Sequence, residues 1–345
     1  MRKARRLPLA AVAVALALVA GPGCLAANIL DVVGQVSQAS YSNYLNTSLF
    51  AYAGDNRGLG GADHDLARDN IAAAFLSFGL TPVSGVSYLE PFLYSGSTYY
   101  NVVGVQPGTV HPEEYYIVGA HYDSYGTPGA DDNASGVAGV LEAARVLSQY
   151  DFEASLIFIA FDREEQGLIG SSAWAAAHHS DDIQGMVSLD MIAYNPVQGG
   201  SSLNQVAIYT VNGGDNSVTD GLLAAFAAYG GDVTASLVGA MGQSDHVPFY
   251  SRGFASALLI EKNVFTNPYY HTQSDSLNTG YLDDVFATSV TRATVGYLAT
   301  QADLATPEPV PAVLTLSGLV VLVVALRRRD RRLARADRRR PAAVC

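Results

Sequence analysis

The sequence predicts an α/β fold: a three-layer sandwich in which helices cover both faces of a mostly parallel central sheet. Segments with strand character alternate with segments of helical periodicity over most of the chain. The strand segments are continuous apolar runs, as expected for strands that are buried on both faces. Acidic residues and histidines follow these runs, and open α/β sheets place their binding sites at that edge.

The elements of this prediction follow in chain order. Residues 28–95 are predicted to be helical and peripheral, because the segment 65–80 carries apolar residues at helical spacing. Apolar runs predict strands at 101–108, 114–123, 155–165, 184–195, 205–211 and 254–263. Helical patterns accompany them at 136–150, 171–180, 217–230 and 282–302. No clear linker interrupts the pattern, so a single domain is predicted over residues 28–303.

Histidine and carboxylate side chains recur at the predicted strand ends. The loop GAHYDSYGTPGADDNASG, residues 119–136, is the densest case. The candidates are His121, Asp123, Asp131, Asp132, Glu164, Glu165, Asp190 and His271. Each has a simpler interpretation on its own, since an aspartate next to a helix start often caps that helix and a single histidine is more often a hydrogen-bonding residue than a ligand. Their shared position at one sheet edge favours a common site.

Two histidines and three carboxylates are a suitable ligand set for two divalent ions, with zinc as the first choice. Two such ions at about 3.5–4 Å repel each other, so one carboxylate would have to bridge them. A further carboxylate would remain off the metals and accept a proton from water. The strand ends offer enough candidates to supply the whole set.

Five segments of the chain, taken together, resemble the M28 family of zinc peptidases, which comprises co-catalytic two-zinc aminopeptidases and their relatives. The segments are GAHYDS with GADDNASG, FDREEQGLIGS, SLDMIAYN, QSDHVPF and YYHTQSDSLN, in the family's order across residues 119–278. The resemblance implies the zinc-aminopeptidase (phosphorylase/hydrolase-like) type of α/β fold, two zinc ions per chain and peptide substrates.

Carried over by position, the resemblance implies five zinc ligands. One zinc would be held by His121, Asp132 and Asp190. The other would be held by Asp132, Glu165 and His271, with Asp132 as the bridge. Asp132 is preferred to its neighbour because the family's bridging acid directly precedes a run like NASG.

The resemblance also implies the residues that act beside the metals. Glu164 would be the general base and later the acid, and Asp123 would orient the first histidine. Tyr270 would stabilise the negative charge that develops on the carbonyl oxygen. The family often has a cis peptide bond after the bridging acid, which is expected here at the bond to Asn133.

Three alternatives to an aminopeptidase remain open. A glutaminyl-cyclase-like acyltransferase on the same fold would use one zinc, and the motifs do not exclude it. A carboxypeptidase would need a basic group for the substrate carboxylate, for which Arg163 and Arg252 are the candidates. A non-catalytic envelope protein could keep the fold, although the complete ligand set argues against it.

The predicted domain is strongly acidic. Residues 28–306 contain seven Lys and Arg against 29 Asp and Glu, a formal charge of −22. Such a body repels nucleic acid and attracts cations and amine-bearing substrates. The only cysteines are Cys24 and Cys345, so neither disulfides nor thiolate ligands are expected in the domain. The sequence does not predict an oligomeric state.

Both ends of the chain resemble targeting segments. Residues 1–27 have a basic head, an apolar run and then small residues, which is typical of a secretory signal peptide. Residues 304–345 resemble a PEP-CTERM sorting tail, with a Pro-Glu-Pro triplet, a predicted membrane helix at 310–326 and an arginine-rich end. The interpretation is an exported protein (periplasmic, cell-surface or secreted) that sorting machinery at the membrane anchors and processes.

Overall fold

The structure is a computed structural model and describes residues 27–305. The expected signal peptide, except for its last residue, and the expected membrane helix at 310–326 lie outside the described residues. Within residues 27–305, no helix has the length and apolar character needed to cross a membrane.

An eight-stranded mixed sheet forms the centre of the described chain. Residues 27–305 contain ten strands, eight of them in this sheet: β1 (Leu89–Tyr94), β2 (Ser97–Gln106), β3 (His111–His121), β4 (Ala154–Phe161), β5 (Asp182–Asp190), β6 (Val197–Gln198), β7 (Ser201–Ser202), β8 (Gln205–Thr210), β9 (Thr234–Ala240) and β10 (Ser256–Glu261). The order across the sheet is β1-β2-β4-β3-β5-β10-β8-β9, and β6 pairs with β7 outside it. Strands β4, β3, β5 and β10 run parallel to one another, which confirms the predicted α/β fold with a mostly parallel central sheet.

Helices cover both faces of this sheet. They are α1 (Ile29–Val33), α2 (Gln38–Thr47), α3 (His64–Ser77), α4 (Gly136–Leu147), α5 (Ile169–Ala177), α6 (Ser217–Tyr229), α7 (His246–Tyr250) and α8 (Asp284–Gln301). Alternate residues of β4 pack into two separate cores: Phe158 joins the larger one, with α4 and α8, and Ile159 joins the smaller one. In the smaller core, Trp174 of α5 and Phe249 of α7 stack with 5.5 Å between ring centroids. The helix–sheet–helix layering is the predicted sandwich.

The sequence does not predict two of the eight strands of the central sheet. Strand β1 lies inside the segment 28–95 that was predicted to be helical, so that part of the prediction is wrong, and β9 lies in a segment with no assigned element. Both strands are at the edges of the sheet and are only partly buried. Edge strands need no continuous apolar run and tolerate residues such as Pro91, so their pattern is weak.

A buried arginine joins the N-terminal segment to the loop that follows β3. Arg57 is fully buried. Its guanidinium donates hydrogen bonds of 2.6–3.0 Å to five backbone carbonyl oxygens, those of Leu49, Phe50, Tyr122, Pro128 and Gly129. Buried carbonyl groups and a buried cation all need hydrogen-bonding partners, so this side chain fixes the loop 122–129 against the N-terminal segment.

Replacing this arginine is expected to destabilise the protein. Arg57→Met should lower the free energy of unfolding by about 3 kcal/mol or more, because several buried acceptors would lose their donor at roughly 1–3 kcal/mol each. Urea denaturation measures the change. Arg252→Met is the matched control, since Arg252 is exposed, and its effect should stay within about 0.5 kcal/mol. Equal effects of the two substitutions would contradict the role given to Arg57.

Candidate active site

The parallel strands β4, β3, β5 and β10 end at one edge of the sheet, and the candidate residues lie there. His121 is the last residue of β3, and Asp190 is the last residue of β5. Glu164 and Glu165 follow β4, and the segment after β10 carries His271. Strands that run in the same direction present their carboxyl ends together, which brings residues from distant parts of the chain to one place.

Asp132 lies between the two histidines. Its Oδ1 is 3.4 Å from Nε2 of His121, and its Oδ2 is 3.1 Å from Nε2 of His271. The same nitrogen of His121 is 3.6 Å from Oδ1 of Asp190, and that of His271 is 3.4 Å from Oε2 of Glu165. The structure therefore brings together the five predicted metal ligands, with one carboxylate facing both imidazoles.

This cluster has the donor chemistry of a zinc site. Ligand atoms lie within 4.8 Å of one another in two sets: His121 with Asp132 and Glu165, and His121 with Glu164 and Asp190. Oε1 of Glu165 is buried and has no hydrogen-bond partner in the described part of the chain. Carboxylates that outnumber imidazoles leave buried negative charge, which a divalent cation neutralises. The residues present therefore fit zinc.

The carboxyl groups of the cluster differ in their pKa values. Burial raises the pKa of Glu164 well above its usual value, against the opposing charge of His121. Burial also raises the pKa of Glu165, to about 7. Burial acts on Asp132 in the same direction, but hydrogen bonds from His121 and His271 hold the pKa of Asp132 below its usual value. The pKa values of neighbouring carboxyl groups are thus shifted in opposite directions, as is common at sites of acid–base chemistry.

Asp123 connects His121 to the two glutamates. Its Oδ1 accepts the backbone N–H of Glu164 at 3.1 Å, and its Oδ2 accepts that of Glu165 at 3.3 Å. Nδ1 of His121 is 3.1 Å from the backbone oxygen of Asp123 and 3.5 Å from its carboxylate. The imidazole is therefore oriented mainly by the backbone of Asp123, whereas its carboxylate fixes the segment that carries Glu164.

The loop before α4 holds Asp132 through contacts that the sequence pattern does not reveal. The peptide bond between Asp132 and Asn133 is cis, as expected. The Asn133 side chain donates to the backbone oxygen of Leu189, on β5, at 2.8 Å. The carboxylate of Asp275 accepts the N–H groups of Asp131 and Asp132, at 2.7 and 3.1 Å. Asp275 lies in the segment QSDSLN, but only the folded chain shows that it supports the ligand loop.

Two tyrosine rings enclose His271. The ring of Tyr270 stacks on the imidazole with 3.9 Å between centroids, and the ring of Tyr125 stacks with 4.2 Å. Two stacked rings at such distances fit only on opposite faces of the imidazole. Tyr270, a predicted site residue, also borders the cavity at the cluster. Tyr125 is a contact that sequence analysis missed, since nothing in its loop marks it as a neighbour of the histidine.

A cavity of about 370 Å³, here called the catalytic cavity, opens onto the cluster. Its lining includes the apolar side chains of Met191, Met241, Leu258, Ile260, Val264 and Phe265. No arginine or lysine in the described part of the chain borders it. Arg163 borders a different cavity, and Arg252 borders neither of the two, so the prediction that these arginines could bind a substrate carboxylate here is wrong.

Known proteins resemble this chain in sequence and in structure. Aminopeptidase YwaD of Bacillus subtilis is 34% identical over 194 residues, which are 53% of this chain and 41% of that protein. The chain thus spans less than half the length of this curated relative. BSAP, a zinc aminopeptidase from Bacillus subtilis, is similar in structure, with a TM-score of 0.53 and 27% identity over 61% of this chain and 54% of that one.

A glutaminyl cyclase of Porphyromonas gingivalis shares the fold. The two structures have a TM-score of 0.60 and 21% sequence identity, and the similarity covers 77% of this chain and 99% of the cyclase chain. The fold alone therefore does not separate a peptidase from a cyclase. A model of peptidase family M28 matches residues 101–292, more than half of the 345 residues of the chain, and the match includes every residue of the cluster. The chain belongs to peptidase family M28.

Proposed function

We propose that the protein is a zinc-dependent aminopeptidase that removes N-terminal residues from peptides. The observation that carries the proposal is the position of Asp132, whose two carboxylate oxygens each face one imidazole, at 3.4 and 3.1 Å. A carboxylate placed in this way suits a bridge between two metal ions. The similarity to YwaD and BSAP supports a peptidase.

Two zinc ions per chain are proposed. Each would be held by three side chains, with one shared: His121, Asp132 and Asp190 for the first, and Asp132, Glu165 and His271 for the second. Zinc, when bound, polarises a substrate carbonyl group and lowers the pKa of water. This arrangement leaves Glu164 free of the metals, close to His121 and Asp190.

Glu164 is proposed to move the proton, and Tyr270 to stabilise developing charge. Burial raises the pKa of Glu164, so its carboxyl group can take a proton from water and pass it to the leaving amine. The Tyr270 hydroxyl would donate a hydrogen bond to the carbonyl oxygen as it becomes negative. Burial raises the pKa of this hydroxyl as well, so it stays protonated and able to donate.

The catalytic cavity favours an apolar N-terminal side chain. Its wall carries methionine, leucine, isoleucine, valine and phenylalanine side chains. The formal charge of −22 over residues 28–306 favours the approach of a free, positively charged amino group. The proposed substrates are therefore peptides that begin with leucine, methionine or phenylalanine. A carboxypeptidase would need a cationic side chain for the substrate carboxylate, and no arginine or lysine in the described chain borders this cavity.

Metal analysis and a substrate panel test the proposal together. We expect about two zinc ions per chain, and loss of activity on chelation that zinc restores. Leucine arylamide should be hydrolysed faster than aspartate or lysine arylamide by about tenfold or more, because a charged side chain is desolvated in an apolar pocket.

The same measurements separate the alternatives. One zinc per chain together with cyclisation of N-terminal glutamine would favour an acyltransferase. A chain without metal and without turnover would favour a non-catalytic envelope protein. Similar rates for all the arylamides would contradict the proposed preference for apolar N-terminal side chains, but they would not contradict the proposed hydrolase activity.

Export is also a proposal, and its support is the sequence alone. Residues 1–27 would be removed as a signal peptide, and residues 28–303 would form the peptidase domain. The tail at 304–345 would be recognised by sorting machinery at the membrane, which would anchor or release the protein.

A further inference from the structure

A second cavity, also of about 370 Å³, shares no lining residue with the catalytic cavity. It is bordered by α3, β2 and the residues that follow β4. Among its lining side chains are His64, Arg68, Tyr99, Tyr100, Asp162 and Arg163. Two of the seven Lys and Arg in residues 28–306 therefore line one small space. In a domain so poor in basic residues, this concentration marks the cavity, here called the arginine cavity, as a candidate binding site.

The guanidinium of Arg163 is buried in the wall of the arginine cavity with few hydrogen bonds. The side chain is 2% exposed, and its Cζ lies 4.1 Å from the centre of the Tyr99 ring. Nη1 donates to Oε1 of Gln166 at the long distance of 3.4 Å. Nε is buried and has no hydrogen-bond acceptor within residues 27–305. Because a guanidinium carries five N–H donors, and buried donors need acceptors, we expect an acceptor from outside the chain to enter the cavity.

The carboxylates at the arginine cavity do not satisfy this guanidinium. Oδ1 of Asp162 is 3.5 Å from Nε of Arg163 but 2.8 Å from Nε2 of His64, so its hydrogen bond goes to the histidine. Oδ2 of Asp162 is buried without a partner among the described residues. Asp65 is largely exposed and pairs with Arg68 at 3.0 Å. Among the described residues, the contact with Asp162 at 3.5 Å is thus the one carboxylate contact of Arg163, and it leaves Nε without a hydrogen bond.

We propose that the arginine cavity binds an oxyanion through Arg163. The planar guanidinium matches a carboxylate group best, and a phosphate or sulfate group shares the same chemistry. The stack on Tyr99 holds the guanidinium in one orientation before a ligand arrives. Arg68 also lines the cavity, but its charge is already paired with Asp65 and Asp69, at 3.0 and 2.8 Å, so Arg163 is the residue that carries the proposal. This site does not depend on peptidase activity, because its lining residues take no part in the catalytic cavity.

Titration of the zinc-loaded protein with sodium acetate and, separately, with sodium sulfate tests the proposal. Calorimetry and thermal unfolding follow binding, with chloride keeping the ionic strength constant. We expect saturable binding of at least one anion, and Arg163→Gln should weaken it by about tenfold or more, as for the loss of a charge-assisted hydrogen bond. Arg252→Gln, at an exposed arginine that borders neither cavity, should leave binding unchanged. Tighter binding of acetate would identify a carboxylate ligand, and tighter binding of sulfate a tetrahedral one.

Zinc itself binds anions, so the titrations are repeated after chelation. Binding that disappears with the zinc, or that survives Arg163→Gln unchanged, overturns the proposal. The absence of saturable binding to the wild-type protein overturns it as well, which would mean that only water fills the cavity. If Arg163→Gln does not fold, Arg163→Lys takes its place, because lysine keeps the positive charge beside Asp162 but lacks the planar guanidinium. Unchanged binding by that variant would count equally against the proposal.

Discussion

Replacing Glu164 with glutamine is expected to lower kcat by about 10²–10⁴-fold, the usual contribution of a general acid or base, while the zinc content stays at the wild-type value. Glutamine has nearly the same shape as glutamate but cannot accept and return a proton. The side chain should keep its place, because the backbone N–H of this residue is held by Asp123 at 3.1 Å. Steady-state kinetics with leucine arylamide and metal analysis of the same sample measure both quantities.

The control for this variant is Glu113→Gln. Glu113 is exposed near the start of β3, at the opposite end of the strand from His121. It should keep both zinc and turnover. A Glu164→Gln protein that lost zinc together with activity would place Glu164 among the metal ligands. A fully active one would mean that another group moves the proton.

The fold and the ligand set could be predicted because one feature of the sequence encodes both. Strands β4, β5 and β10 are buried along most of their length, and β3 is buried over its last five residues, so all four read as apolar runs. Since they are parallel, the polar residues that follow each run meet at one edge. His121 and Asp190 are predictable for this reason, although they are far apart in the chain.

The residues that support the site could not be predicted in the same way. Arg57 acts through carbonyl groups on two separate segments, and Asp275 acts through the N–H groups of Asp131 and Asp132. Backbone groups are the same for every residue type, so such contacts leave no trace in composition or spacing. Tyr125 is similar, because stacking on a histidine requires only an aromatic ring at the right place.

Arg163 shows where the sequence misleads. It stands directly before Glu164, so it was a natural candidate for the catalytic cavity. Its backbone has φ = 62°, in the left-handed region that non-glycine residues seldom adopt. Across this turn, Arg163 borders the arginine cavity and Glu164 borders the catalytic cavity. Arg163 and Glu164 thus line different cavities although they are adjacent in the chain. The backbone conformation shows this, and the sequence does not.

Asp132→Asn is expected to remove zinc as well as activity. The carboxylate faces both imidazoles, and an amide offers one oxygen in place of two and no charge. We expect the zinc content to fall from about two ions to one or fewer per chain. Turnover should fall by more than about 100-fold, because changes even behind the metal ligands cost about 10–100-fold. Metal analysis after dialysis and kinetics at saturating zinc measure the two effects.

The neighbouring aspartate provides the matched control. Asp131 accepts the N–H of Ala193 at 2.9 Å and does not face the imidazoles. Burial, with the charge of Asp275 adding to it, raises the pKa of Asp131 to about 8, so this group is mostly protonated at pH 7. Asparagine resembles a protonated aspartate in shape and charge, so Asp131→Asn should keep both zinc ions and most activity. If Asp131→Asn lost zinc and Asp132→Asn kept it, the bridging position would belong to Asp131, and the register of the whole ligand loop would be shifted by one residue.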